Sequence, residues 1–441
     1  MDFRVIVQSH NHSAADSVSG NALARAAAQY AKRFEAIPSP FDVRPAENLG
    51  LVVTVPAYDE PQIERSLKSL AACRAPAGDV QVEVLLLINA PADAPQNVKQ
   101  RNEEAYKEAK ALALALAKPW LRVFVEIDNA LPPQHAGVGL ARKALMDAAL
   151  ERLAQVRRTQ ATPAVIAAFD ADCECDENYL TSLIGHFEAT PELAGASIYF
   201  EHDLSDALTH DAIVHYELYL RSYRLGLIHA NSPYAHHTVG SSMAVNAFEY
   251  AKLGGMNRKQ AGEDFYFLQK FMGTGRFKAL NSTCVRPSAR VSSRVPFGTG
   301  AAVSNTLESG AQVPFYDCRV YDDLRQFYGV AEQWCRPYDH LVGELPQALQ
   351  GFLKAYAFPK RLEQIKQNTA SAHAISQHVN AWMNGFRCMK FARFASQQFY
   401  GYADVANVVA SLITRLDDIK VTETLSEVQQ LLRLRQLDRR H

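Results

Sequence analysis

The sequence predicts an α/β protein with a mostly parallel central sheet, followed by an all-α C-terminal region. Three observations lead to this prediction. Between residues 49 and 172, apolar runs typical of buried strands alternate with helical stretches. Such a β-α-β-α order builds a parallel sheet with helices on both faces. From about residue 316 onward strand patterns disappear, and residues 345–440 have the pattern of several helices.

Strands and helices alternate most clearly in the first part of the chain. The predicted strands are, in order, LGLVVTVPAY, VQVEVLLLINA, LRVFVEID and PAVIAAFDAD. The predicted helices between them cover residues 62–73, 94–117 and 139–158. An Ala-rich helix at residues 22–34 comes before the first strand, and three prolines follow it. We therefore expect a helical arm and linker over residues 1–46.

The order of elements becomes less regular after residue 173. We expect a helix at residues 204–227, a short strand passing into a helix at 240–255, a helix at 263–273 and extended chain at 277–291. A chain of 441 residues favours two or three compact units. We predict one domain over residues 47–315 and a helical domain over residues 316–441.

Polar residues gather where the predicted strands end. Right-handed crossovers place the carboxyl ends of parallel strands at one edge of the sheet, where such sheets bind ligands. The residues at this edge are Tyr58, Glu60, Asn89, Asp128, Asp170 and Asp172. We therefore expect the binding site at this edge.

Charge, apolar runs and cysteines exclude several classes of protein. A net charge of -1 gives no reason to expect nucleic acid binding. No run approaches the roughly 20 apolar residues of a membrane span, and residues 1–17 lack the pattern of a signal peptide. The seven cysteines show no zinc-site spacing. We expect a soluble cytoplasmic protein, with peripheral membrane association left open.

The sequence FDAD at residues 169–172 carries two carboxylates that leave the sheet edge together. Oxygen ligands of this kind suit Mg²⁺ or Mn²⁺, with a substrate diphosphate completing the coordination shell. The D-A-D triplet alone is weak evidence for a metal site, because Asp172 in a solvated turn could instead cap the next helix.

Four short motifs, of which this triplet is the third, follow one another along the chain. They are PAYDE at 56–60, ARK at 141–143, DAD at 170–172 and GGMNRKQAGED at 254–264. In these motifs the chain resembles the family 2 glycosyltransferases, which have the A-type nucleotide-diphospho-sugar transferase fold. The resemblance covers roughly residues 49–300. It implies an inverting transfer of a sugar from a nucleotide-diphosphate donor to a hydroxyl acceptor, in polysaccharide, lipid or glycoconjugate assembly.

The resemblance also implies a division of labour within the catalytic domain. Residues 47–172 would bind the donor nucleotide, and residues 173–315 would bind the acceptor. The implied donor-binding residues are Pro56, Ala57, Tyr58, Glu60, Asn89, Arg142, Asp170 and Ala171. Asn89 stands where relatives have aspartate, which leaves the base of the donor open. Asp172 would bind Mn²⁺ or Mg²⁺.

The last motif supplies the predicted catalytic residues. By resemblance, Asp264 would be the general base, and Glu263 would position the loop or the acceptor hydroxyl. The implied acceptor-binding residues are His237, Gly240 and Arg290. Many relatives complete the metal site with a histidine after this helix, whereas this chain reads VRPSARVSSR there. Its arginines could instead bind the diphosphate directly.

Two other functions stay open on the sequence. Sugar-phosphate nucleotidyltransferases use a similar sheet, but they normally have a Gly-rich loop after the first strand, which VPAYDE lacks. A non-catalytic binding protein on the same scaffold is the other alternative, with the C-terminal helices as its interaction module. The acceptor and the oligomeric state do not follow from the sequence.

Overall fold

In the computed structural model, residues 18–134, 136–159, 162–291, 298–417 and 425–441 are described. Residues 1–17 of the predicted N-terminal arm lie outside this range. The described chain is an α/β structure with a large, mostly parallel sheet and a helical C-terminal region, which confirms the predicted fold class. Among these residues, no helix is both long and apolar enough to cross a membrane.

The central sheet has eight strands. In chain order they are β1 (Leu49–Ala57), β2 (Gln81–Pro91), β3 (Leu121–Leu131), β4 (Val165–Ala168), β5 (Glu174–Cys175), β6 (Gly195–Phe200), β7 (Met243–Asn246) and β8 (Phe277–Arg286). Their spatial order is β3-β2-β1-β4-β7-β6-β8-β5. Strands β1 to β4 pair in parallel, whereas β7 runs antiparallel between β4 and β6. The carboxyl ends of β1 to β4 therefore meet at one edge.

Helices cover both faces of the sheet. Those of the first part are α1 (Val18–Arg33), α2 (Ile63–Ala72), α3 (Gln96–Leu116), α4 (Val138–Gln155), α5 (Tyr179–Ala189), α6 (His210–His229), α7 (Ala247–Lys252), α8 (Glu263–Met272) and α9 (Thr299–Ser309). The predicted strands and helices before residue 172 agree with these bounds to within a few residues, except that β4 ends at Ala168. The short strands β5 and β6 were not predicted.

The C-terminal region is built of short helices. They are α10 (Arg319–Gly329), α11 (Tyr338–Val342), α12 (Gln347–Ala355), α13 (Phe358–Gln367), α14 (Ala372–Trp382), α15 (Gly385–Ala395), α16 (Val405–Asp417) and α17 (Glu427–Arg440). The prediction of no strand beyond residue 316 needs one small correction. Two-residue strands β9 (Phe315–Tyr316) and β10 (Tyr402–Ala403) pair antiparallel, and so short a pair leaves no periodic pattern in the sequence.

Most of helix α4 is buried, including the charged residues Arg142, Lys143, Asp147 and Arg152. Lys143 donates hydrogen bonds to Asp147 at 2.8 Å and to the Tyr30 hydroxyl at 2.7 Å. Tyr30 and Tyr250 both donate to Asp147. Because buried charges are tolerated when paired and hydrogen-bonded, this cluster fixes α1 and α7 against α4.

A second buried charge cluster joins the last helix to the sheet domain. Asp438 of α17 accepts hydrogen bonds from Arg221 and Arg224 of α6, and it lies 2.9 Å from His237 Nε2. The nearby cations hold the pKa of the Asp438 carboxyl well below its ordinary value, against the opposing effect of burial. The end of the chain is therefore held by charge pairing as well as by apolar packing.

We expect Asp438→Asn to lower the free energy of unfolding by about 3 kcal/mol or more, because it leaves two buried guanidinium groups without their shared carboxylate. Urea unfolding followed by circular dichroism measures this loss. Asp211→Asn is the matched control, since the Asp211 side chain is fully exposed. Equal midpoints for the two variants would contradict the assigned role of Asp438.

Candidate active site at the carboxyl edge of the sheet

Arg142 brings two of the sequence motifs together. It lies in α4 with 2% of its surface exposed. Its guanidinium donates to Asp170 Oδ1 at 2.6 Å and to Glu263 Oε1. Burial alone would lower the pKa of Arg142, but these two carboxylates raise it above its ordinary value. The D-A-D and E-D motifs, separated by about ninety residues, therefore share one cation.

Two glycines make this close approach feasible. A Cβ atom at Gly240 would lie 2.7 Å from Arg142 Nη1, and one at Gly139 would lie 2.0 Å from the carbonyl oxygen of Lys259. Gly240 therefore lets the loop before β7 lie against the guanidinium. Gly139 lets the first turn of α4 pack on the loop that leads to Glu263. Gly240 was predicted to contact the acceptor, and the contact that the structure gives it is with Arg142.

Asp264 lies in the first turn of α8, beside this cluster. Burial and the neighbouring Glu263 raise the pKa of its carboxyl, Arg142 opposes both effects, and the resulting pKa is about 7. The amide of Phe265 donates to Asp264 Oδ1 at 2.7 Å. The side chain keeps partial access to solvent. A carboxylate with a pKa near neutrality is well matched to general-base chemistry.

Tyr216 of α6 is a neighbour of Asp264 that the sequence did not single out. Burial raises the pKa of this tyrosine to about 12, and the charge of Asp264 adds to the effect. The sequence predicted only a helix over residues 204–227, and helical spacing gives no sign that Tyr216 faces the site.

A second arginine connects the first strand to the D-A-D motif. Arg290 Nη1 donates to Glu60 Oε1 at 2.8 Å, and its Nη2 donates to the other Glu60 oxygen. The same Nη2 lies 3.3 Å from Asp172 Oδ2. Glu60 raises the pKa of Arg290, although burial opposes this. Arg290 was predicted as an acceptor residue, and its position beside Asp172 also suits the diphosphate role that was left open.

The remaining predicted donor residues lie at or just after the ends of β1, β2 and β4. Pro56 and Ala57 close β1, Tyr58 follows it, and Ala171 is buried between the two aspartates. Asn89 is also buried, and its amide donates to the carbonyl oxygen of Ala57 at 2.8 Å. Its predicted contact with the donor base stays a prediction.

His237 has a different environment from the other predicted acceptor residues. It is 9% exposed, and its nearest charged partner is Asp438. Burial lowers its pKa, while Asp438 opposes this. Its predicted contact with an acceptor stays a prediction, and the structure gives it a contact with the C-terminal helix.

The described residues contain no group of three His, Cys, Asp or Glu side chains that could hold a metal ion by themselves. Divalent ions that act on phosphates commonly take only one or two carboxylates from the protein and the rest of their ligands from the substrate and water. Asp172, with 27% of its side chain exposed, is suited to that arrangement. The residues present therefore fit an ion that arrives with a diphosphate, and they do not form a closed metal site.

The raised pKa of Asp264 predicts that the ionised form of this side chain lowers the free energy of unfolding. Because this pKa is raised above the ordinary 3.8 to about 7, ionising Asp264 in the folded protein lowers stability as the pH rises through that interval. We expect Asp264→Asn to raise the free energy of unfolding by about 1–3 kcal/mol at pH ~8, with little gain near pH ~4. Urea titrations at both pH values test this. A gain that does not depend on pH would contradict the assignment.

No known family model and no curated protein sequence matches the chain. Among solved structures, the chain is similar to S. aureus TarS residues 1–349 in complex with UDP-GlcNAc, with 13% identity over 76% of this chain and 90% of that one, at a TM-score of 0.36. It is also similar to mannosyltransferase PcManGT from Pyrobaculum calidifontis in complex with GDP-Man and Mn²⁺, with 14% identity over 96% and 98% of the two chains, at a TM-score of 0.37.

Proposed function

We propose that this protein is an inverting glycosyltransferase of the A-type fold, which transfers a sugar from a nucleotide-diphosphate donor to a hydroxyl acceptor. The observation that carries the proposal is the contact of Arg142 with both Asp170 and Glu263. It brings a carboxylate of near-neutral pKa, Asp264, next to the acidic motif at the end of β4. A base and a diphosphate site then face the same edge of the sheet.

In the proposed reaction, the acceptor hydroxyl oxygen forms a bond to the anomeric carbon while the bond to the leaving diphosphate breaks. Asp264 takes the hydroxyl proton and later releases it to solvent. A single base without a covalent nucleophile inverts the anomeric configuration. Glu263 and Arg142 hold the helix start that carries Asp264, so their role is positioning.

The leaving diphosphate gains negative charge, and cations must stabilise it. Arg290 supplies one such charge beside Glu60 and Asp172. A divalent ion, Mn²⁺ or Mg²⁺, would be held by Asp172 and the diphosphate, and it would act as a Lewis acid on the phosphate oxygens. Asn89 would accept a hydrogen bond from the base through its carbonyl oxygen.

We expect Asp264→Asn to lower kcat by about 10²–10⁴-fold while donor binding changes little, because it removes the base and leaves the shape of the site. In the unaltered enzyme, kcat should rise with pH up to about 7, since Asp264 must be ionised to accept a proton. The measurement is nucleoside diphosphate release from a panel of sugar nucleotides at several pH values.

The control for this variant is Asp339→Asn, which changes an exposed aspartate of α11. Donor binding without turnover on any acceptor would favour a binding protein instead. Release of pyrophosphate from a nucleoside triphosphate and a sugar phosphate would favour nucleotidyl transfer.

We expect Arg290→Gln to raise the KM for the donor by about 10-fold or more, because charge-assisted hydrogen bonds to a phosphate contribute about 1.5–3 kcal/mol. Arg319→Gln, which changes an arginine paired with Asp317 in the helical region, serves as the control. An unchanged KM in Arg290→Gln would remove Arg290 from the diphosphate site.

Turnover should also fall when EDTA removes divalent ions, and it should recover when Mn²⁺ is added.

A further inference from the structure

The C-terminal helices line an open surface cavity that lies outside the candidate active site. Its volume is about 480 Å³, within the range of small-molecule sites. It lies between α13, α14 and α15. Its walls are formed by Tyr356, Ala357, Lys360, Arg361, Gln364, His378, Ala381, Trp382 and Arg387. Three of these side chains are permanent cations, and the described lining contains no aspartate or glutamate.

The cations of the cavity are close enough to affect one another. Burial lowers the pKa of Arg387, and the charge of Arg361 lowers it further. Arg387 is held in place, because its Nη1 donates to the carbonyl oxygen of Trp382 at 2.7 Å and its guanidinium lies 4.6 Å from the Trp382 ring centroid. Like charges held near one another in this way favour the binding of an anion.

The first turn of α13 adds to the positive potential. This helix of 10 residues starts after Ala357, which has no polar side chain to cap it and takes a left-handed φ of 51°. Pro359 has no amide hydrogen, so the first turn offers the amides of Phe358 and Lys360. Amides at a helix start carry partial positive charge and commonly bind phosphate. Ala357 and Lys360 both line the cavity, so the helix start and the cations face the same space.

The cavity is connected to the candidate active site through α15. The amide of Gly385 donates to the Gln269 side chain of α8 at 2.9 Å. The Phe386 ring packs on Tyr266, two residues after Asp264, with ring centroids 6.1 Å apart. Arg387, the next residue, lines the cavity. The helix that carries the proposed base and the cationic cavity therefore share one packing junction.

We propose that this cavity binds the phosphate group of a phosphorylated sugar, with Lys360, Arg361 and Arg387 as its cationic contacts. Tyr356, Gln364 and His378 also line the cavity, and they would contact the sugar ring. On the transferase function proposed above, on which this step rests, the bound sugar phosphate is part of the acceptor. The acceptor is then an anionic glycan or glycoconjugate.

Titration calorimetry of the full chain tests the proposal with glucose 6-phosphate, inorganic phosphate and glucose as probes. The chain carries Arg290→Gln, so that a cation of the donor site does not compete. We expect glucose 6-phosphate to bind more tightly than phosphate, and glucose to bind least. Lys360→Gln with Arg361→Gln should weaken glucose 6-phosphate binding by about 10-fold or more.

The matched control is Lys107→Gln with Arg157→Gln, which removes the same charge from exposed positions elsewhere and should leave binding unchanged. Both residues of the cavity pair are exposed, so this variant should fold. Equal binding by the two double variants, or no binding of glucose 6-phosphate at all, would overturn the proposal. Because no donor is present, such a failure would leave the transferase proposal intact.

A second arm uses vesicles of equal parts phosphatidylcholine and phosphatidylserine, which distinguishes a lipid headgroup from a sugar phosphate. We expect vesicle binding to be insensitive to Lys360→Gln with Arg361→Gln. Vesicle binding that depends on these residues, without binding of glucose 6-phosphate, would overturn the proposal in favour of a membrane contact.

Discussion

The buried guanidinium of Arg142 is the interaction on which the arrangement of the site depends. A charge removed from water is costly unless its hydrogen bonds are well made, and here Asp170 and Glu263 provide them from two different elements. The tight contacts of Gly139 and Gly240 follow from this constraint, since the surrounding chain must come close to α4. The position of Asp264 is thus fixed by a charge that need not touch the reacting atoms.

Much of the sheet could be predicted from sequence because its strands are buried on both faces, which produces continuous apolar runs such as LGLVVTVPA. Strand β5 was missed because it has only two residues, and β6 was missed because it follows the point where the regular alternation stops. The motif residues Arg142, Asp170 and Glu263 could be proposed one by one, but their contact depends on tertiary folding. The same is true of the Arg290 pair with Glu60, which joins residues 230 positions apart.

The C-terminal helices pack against the sheet domain and share a core with it, so the two parts are joined by more than the connecting chain. Helix α6, on the N-terminal side of the predicted boundary at residue 316, contributes apolar side chains to the core of the C-terminal helices. Helix α17 returns to α6 and β8 and places Asp438 against His237. Polar residues in this buried cluster restrict how the last helix can dock, because a shifted helix would leave charges unpaired.

The pairing of Arg290 with Glu60 and Asp172 has a consequence for ligand binding. Arg290, the cation that we assign to the diphosphate, is paired with both of these carboxylates. On the proposed function, donor binding would be an exchange of ionic partners: the diphosphate would displace Asp172 from Arg290, and the released carboxylate would become available to a divalent ion. The diphosphate and the divalent ion would then promote each other's binding by the same factor. The affinity measured for one of them would depend on whether the other is bound.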